Sequence, residues 1–273
     1  MSRIPDKVNE LLKEYFDMLE PKLPDYLEAF YIYGSVSLGA FDFGYSDIDF
    51  IAVVKNKVTE EDMTLLKQIH GEMHRRFPKT DLMGMYVMGS DLEAHSVQEE
   101  TCPCFINGKF HGFVRFDRNS IDAYQLKKYG IVVFGWEIEK YGYNVDWDVL
   151  MNNMRNNLNT YWLKWKTGCE KFPSLHYLAM FFSLKAIEWG VLGVTRLYYT
   201  FREKDITSKV GAGEYALRAV PERWHRIINE SMRLRKGIKG TLYKSVIERR
   251  NDALGYINFI IQEGNKHFEE GLG

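Results

Sequence analysis

The chain has 273 residues, 45% of them hydrophobic, which is enough for one large domain or two compact ones with real cores. Lysine and arginine number 36 against 37 acids, a net charge of −1 that argues against a protein living on nucleic-acid phosphates. No apolar stretch reaches the ~18 residues of a membrane span, and the three cysteines, Cys102, Cys104 and Cys169, suit a reducing cytoplasm better than a disulfide scaffold.

Residues 5–20 are charged from the start and carry apolar positions at helical spacing, so they read as an amphipathic helix and not as a signal peptide. Phe30–Tyr33 and Ile48–Val54 read as strands joined by a turn and a short helix. Glu60–Phe77 reads as a second helix, Leu82–Met88 as a strand, and the apolar run between Gly130 and Gly135 as a further short strand or connector. Cys102 and Cys104, with His95 and His111 nearby, match no common zinc spacing and read as ordinary thiols. From about Asp148 long helical patterns take over. Pro173, Gly190/Gly193, Gly211/Gly213, Pro221 and Gly237/Gly240 break them into an expected bundle of five or six helices. Asp146 or Asp148 would cap the first of these. The fold class is therefore α+β, with domains at 1–150 and 151–273 and a cleft between them as the natural ligand site.

The segment from Tyr33 to Phe50, YGSVSLGAFDFGYSDIDF, carries the chemistry. Asp47 and Asp49 sit two residues apart in an apolar run, so on a strand both face one side, about 6–7 Å apart. Two carboxylates so placed repel unless a cation lies between them. Magnesium prefers oxygen ligands and leaves room for phosphates. Upstream, Gly34 permits a tight turn and close approach of a ligand, and Ser35 opens a short helix whose N–H groups and hydroxyl suit phosphate. A phosphate cradle facing a carboxylate pair suits metal-assisted phosphoryl or nucleotidyl transfer.

Gly34-Ser35, the eleven-residue gap and Asp47-Ile48-Asp49 resemble the signature of the polymerase-β-like nucleotidyltransferase superfamily. The segments VTRLYYTFREKDITSKVGAGEYAL and VPERWHRII resemble the C-terminal helical domain of streptomycin/spectinomycin-type aminoglycoside adenylyltransferases and their bacterial relatives. The resemblance implies an N-terminal nucleotidyltransferase domain, a mixed sheet with helices, packed on a C-terminal helical bundle, with magnesium and ATP as substrate between them. Asp47 and Asp49 would hold the metal, and Gly34, Ser35 and Ser46 would line the triphosphate. Arg196, Thr200 and Lys209 would complete the nucleotide site. The residues of that segment agree: Arg196 and Thr200 share a helix face, Lys209 follows a break in the pattern, and both cations suit phosphate. Arg202 and Lys204 read as solvated surface cations.

The resemblance also implies a glutamate on the next core strand to orient the attacking hydroxyl, and that position falls at or next to Met83. Asp81, of the same strand parity, is the nearest acid: either it serves as the third catalytic carboxylate, or the base is absent. Tyr161, Trp162 and Trp165 could line an acceptor pocket but more often form core. Glu188 and Glu214 could attract a cationic acceptor but more often stay solvated. His111 and Asp117 receive no role. The expected protein is a cytoplasmic adenylyltransferase, monomer or weak dimer, moving AMP to a small, aminoglycoside-like acceptor. The alternatives are a nucleotide-binding relative without transfer activity and a nucleotidyltransferase acting on protein or RNA.

Overall fold

The computed structural model of the protein describes residues 4–93 and 101–270. Its contacts divide the chain into two compact units, Met1–Asp146 and Trp147–Gly273.

The first unit is built on a six-stranded mixed sheet. In chain order its elements are α1 (Asp6–Leu19), β1 (Leu27–Tyr33), α2 (Gly34–Ser37), β2 (Ile48–Val54), α3 (Glu60–Arg76), β3 (Leu82–Met88), α4 (Gly89–Leu92), β4 (Cys102–Ile106), β5 (Lys109–Val114), α5 (Ile121–Tyr129) and β6 (Ile131–Phe134). The strand order is β5-β4-β3-β2-β1-β6. Only the β2–β3 pair is parallel, which requires the α3 crossover between them. Strand alternation sorts the side chains into two cores. Ile48, Phe50, Ala52 and Val54 pack with Val8, Leu12 and Tyr15 of α1 and with Leu66, Ile69 and Met73 of α3. Tyr33, Ile51, Val53 and Val87 pack with Ala123 and Leu126 of α5. The α3 start is fixed by a reciprocal cap: Thr59 Oγ1 accepts from Asp62 N at 3.1 Å, and the Asp62 carboxylate accepts from Thr59 N at 2.9 Å.

The β4–β5 hairpin was not expected. Its turn is Asn107-Gly108, both with positive φ (52° and 66°), the conformation a two-residue hairpin turn demands. The ladder shifts register between Cys104 and Phe105, leaving His111 without a paired partner across the strand.

The second unit is helical: α6 (Trp147–Asn157), a π-helical turn (Leu158–Trp162), α7 (Leu163–Glu170), α8 (Leu175–Phe182), α9 (Leu184–Glu203), α10 (Lys209–Ala219), α11 (His225–Arg235) and α12 (Val246–Glu270). Helix α9 is its axis, packed by α10, α11 and α12. The bundle has more helices than expected, and Gly190, Gly193, Gly211 and Gly213 break none of them. The α9 glycines make room for rings: a Cβ on Gly190 would lie 2.6 Å from the Trp165 ring, and one on Gly193 would lie 2.3 Å from the Trp162 ring. Trp189 completes this cluster, its centroid 4.6 Å from that of Trp162 and 5.2 Å from that of Trp165. Trp162 is buried, whereas Tyr161 at the cluster's rim is exposed. Among the described residues no single helix is long and apolar enough to cross a membrane.

His70 sits in the first core, stacked on Phe105 at 4.1 Å, with Nε2 2.9 Å from the Tyr86 hydroxyl. Burial pushes its pKa down from 6.5 to about 3. The folded state keeps this imidazole neutral while the unfolded chain protonates it below pH 6.5. Its contribution to stability is therefore present above pH 6.5 and lost as pH falls toward 3. His70→Phe removes that titration, so urea unfolding between pH 6.5 and 4 is expected to depend on pH less steeply. The difference should approach one proton, about 1.4 kcal/mol per pH unit.

Candidate functional site

Strand β1 ends at Tyr33, which pairs with Asp49 of β2. The chain then turns at Gly34 (φ 66°) into the single helical turn of α2. This brings the Gly34 backbone directly against the Asp49 side chain: a Cβ on Gly34 would lie 1.7 Å from Asp49 Oδ2. Only glycine can occupy the position, for the backbone angle and for the space. The Gly34 carbonyl is held from two sides, accepting from Ser37 Oγ at 3.1 Å and from Gln125 Nε2 of α5 at 2.9 Å. Ser35 Oγ donates to the Asp47 carbonyl at 3.5 Å, tying the turn to the residue just ahead of β2. Asp47 is exposed and precedes the strand, while Asp49 is half-buried within it. Ser46 is buried and closes the loop before them, its Oγ accepting from Asp42 N at 3.1 Å.

The Asp81 carboxylate has partners of its own. Asp81 precedes β3, so strand alternation does not govern its side chain. Its carboxylate caps the hairpin turn instead, accepting from Gly108 N at 3.0 Å and from Asn107 N, with His74 Nδ1 3.8 Å away on α3. Its backbone reaches β2, where Ile48 N donates to the Asp81 carbonyl at 2.8 Å. The residue paired with Asp49 across β2–β3 is Met83. On the other side of Asp49, burial drives the Tyr33 phenol well above its ordinary range, and Asp122 and Asp49 push it further. Gln125 and Asp122, one turn apart on α5, are the neighbours that sequence reading missed. Nothing in the local pattern of α5 announces that it lies against a turn some ninety residues earlier.

In the second unit Lys209 is the first residue of α10, not part of a loop, and Ser208 caps the helix by accepting from Gly211 N at 3.0 Å. Lys209 Nζ donates to Glu188 Oε1 of α9 at 3.1 Å, and both are largely withdrawn from water. Burial lowers the Lys209 pKa; Glu188 opposes that shift, and Arg235 and Arg196 add to it. Arg196 of α9 and Arg235 of α11 thus lie near enough to Lys209 to act on its charge. Thr200 is buried and its Oγ1 donates to the Arg196 carbonyl at 3.1 Å. Glu188 is therefore not a solvated helix acid, whereas Glu214 is exposed, with Lys236 Nζ 3.8 Å away. Lys204 ends α9 in the left-handed conformation, and Arg202 lies over the Tyr198 ring.

The remaining candidates have structural explanations. Asp117 accepts from Asn119 N at 2.9 Å in the turn before α5, and Cys102 Sγ donates to the Asp91 carboxylate at 3.3 Å. His111 is exposed on β5, and His95 lies outside the described residues. Among the described residues no three His, Cys, Asp or Glu side chains gather as a metal-binding group. Asp47 and Asp49, with the bare Gly34 backbone against Asp49, are the oxygen donors that would hold a magnesium ion here.

Two outcomes test this geometry. Gly34→Ala should unfold in urea with a loss of at least about 2 kcal/mol. Gly39→Ala should lose about 1 kcal/mol or less, since Gly39 has a similar φ (64°) but nothing within 4 Å of its Cβ position. Asp81→Ala should lose about 1–3 kcal/mol of stability by orphaning the hairpin N–H groups while leaving nucleotide affinity unchanged; a loss of turnover without a loss of stability would contradict its structural role.

Residues 186–253 match the family model described as aminoglycoside adenylyltransferase, C-terminal domain. No curated protein matches this sequence. Among solved structures, the fold is similar to that of spectinomycin adenyltransferase AAD(9) from Enterococcus faecialis, determined with ATP and spectinomycin. The identity is 15% and the TM-score 0.66, over 93% of this chain and 99% of that one. The chain thus has a fold similar to that of a spectinomycin adenyltransferase, and residues 186–253 of its second unit are similar to the C-terminal domain of aminoglycoside adenylyltransferases.

Proposed function

We propose that the protein is a magnesium-dependent adenylyltransferase that moves AMP from ATP to a hydroxyl of a small, aminoglycoside-like acceptor. The observation that carries this reading is the contact of the Gly34 turn with the Asp49 carboxylate, with Ser35 tied to Asp47 beside it. The turn brings backbone and the Ser35 hydroxyl to where a triphosphate would meet the carboxylates. The acceptor oxygen attacks the α-phosphorus in line, the bond to the bridging oxygen breaks, and pyrophosphate leaves with the electron pair. Magnesium, when held by Asp47 and Asp49, supplies charge neutralisation on the phosphate oxygens. Arg196 and Lys209 would bind the triphosphate, Arg through its fork and Lys as a point charge. Lys209 would then pass from Glu188 to phosphate.

A second reading, nucleotide binding without transfer, is favoured by one observation: the residue across from Asp49 is Met83, which accepts no proton, and Asp81 is engaged elsewhere. The two are separated by measuring ATP binding by calorimetry and pyrophosphate release side by side. Asp47→Asn and Asp49→Asn should each abolish magnesium-dependent binding or turnover while the protein stays folded; unchanged activity in both would refute the site. Lys209→Ala should weaken ATP binding by about 1–3 kcal/mol. Pairing it with Glu188→Gln removes the buried carboxylate it would leave unpaired, so an affinity loss that persists in the double variant reports on nucleotide and not on folding.

A further inference from the structure

The Gly34 carbonyl receives more donors than it needs. A carbonyl oxygen offers two lone pairs. Ser37 Oγ at 3.1 Å and Leu38 N at 3.3 Å already use them. Gln125 Nε2 adds a third donor at 2.9 Å. That third donor carries a cost. Gln125 is 2% exposed, and its neighbours on α5, Ala123 and Leu126, are fully buried in the second core. An apolar side chain of similar size would gain from burial there, whereas a carboxamide must give up water for its one bond. The need to satisfy Gly34 does not explain the residue, because the carbonyl is satisfied without it.

The three donors differ in where they come from. Ser37 and Leu38 belong to the turn and move with it. Gln125 lies 91 residues away in sequence, on an element held independently. Tyr143 Oη donates to the Ala123 carbonyl at 2.9 Å, and Lys127 Nζ donates to the Tyr143 carbonyl at 2.7 Å and to Asn144 Oδ1 at 2.6 Å. The turn that Gln125 reaches needs an outside tether. Gly34 has φ 66°, and glycine leaves one backbone conformation for another more readily than any other residue. The peptide joining Gly34 to Ser35 is planar, with its carbonyl and N–H on opposite sides. Holding the carbonyl toward α5 therefore turns the Ser35 N–H away from α5. The Ser35 hydroxyl on the same residue meets the Asp47 carbonyl.

We propose that Gln125 is a positioning residue for the nucleotide: it ties the Gly34–Ser35 peptide to α5, so that the turn meets the triphosphate in one fixed orientation. It acts through Gly34 and not by touching the nucleotide. The proposal rests on the adenylyl-transfer reading for what the turn binds.

The test uses the full chain labelled with nitrogen-15. Gln125→Met keeps the length of the side chain and removes the donor; Gln125→Leu is the second variant. In either, the Gly34 and Ser35 amide signals should shift or broaden while those of Ala52 and Val54 on β2 stay in place. Magnesium-ATP affinity by calorimetry should fall about tenfold, the scale of one lost hydrogen bond. Thr59→Ala, which removes the α3 cap instead, should stay within about twofold of the parent chain, so that a loss confined to Gln125 is not a general effect of lower stability. In the parent chain, magnesium-ATP should move the Gln125 carboxamide signal. A carboxamide signal left in place overturns the role whether or not the variants fold, and so do unchanged Gly34 and Ser35 signals in a folded variant. A parent chain that binds no ATP would sink the adenylyl-transfer reading and this role with it. A parent that binds ATP and a Gln125→Met variant that binds it equally well would sink the positioning role alone.

Discussion

The first unit depends on a close approach between backbone and carboxylate. The antiparallel register of β1 and β2 sets Tyr33 opposite Asp49, so the chain leaving β1 must turn over the start of β2. Gly34 makes that turn with its α-carbon against the Asp49 side chain. Everything nearby then serves to hold the turn: Gln125 reaches from α5 to its carbonyl, Ser37 caps the same atom, and Ser35 ties it to Asp47. The carboxylate is thereby presented beside backbone at the end of a fully packed strand, and not on a mobile loop. Preorganisation of this kind is what a site handling concentrated negative charge requires.

Much of this arrangement could be read from sequence, because two aspartates in an apolar run and a Gly-Ser after another are local signals. The strands around them were legible for the same reason. Three things were not. Asp81 shares the parity of Met83, yet it stands one residue ahead of β3, where alternation no longer governs direction, and the N–H groups of the hairpin turn claim its carboxylate. The hairpin itself was hidden by Pro103, a residue that argues against strands. The β3–β4 pairing covers only Phe105 and Cys104, so the missing N–H of Pro103 falls where β3 asks for none. The glycines of α9 and α10 read as breaks, but helical propensity is a weak prior, and the Trp162 and Trp165 rings need the space.

The second unit shows how a buried charge is kept paired. Glu188 and Lys209 would each be costly alone at their depth, and each makes the other acceptable. Arg196 and Arg235 lie near enough to Lys209 to oppose its charged form. The aromatic set of Trp162, Trp165 and Trp189, interlocked with Gly190 and Gly193, packs the same half of α9 that carries Glu188.

The register shift in the β4–β5 ladder bears on how the protein behaves in company. β5 lies at one margin of the sheet and β6, only four residues long, at the other. A continuous, flat margin invites another polypeptide to add a strand to it. The extra residue at His111 interrupts the even spacing of donors and acceptors along β5, and bulges increase local twist. Neither margin therefore offers an incoming strand a long regular ladder. Both margins thus lack the long, even ladder on which edge-to-edge stacking of sheets depends.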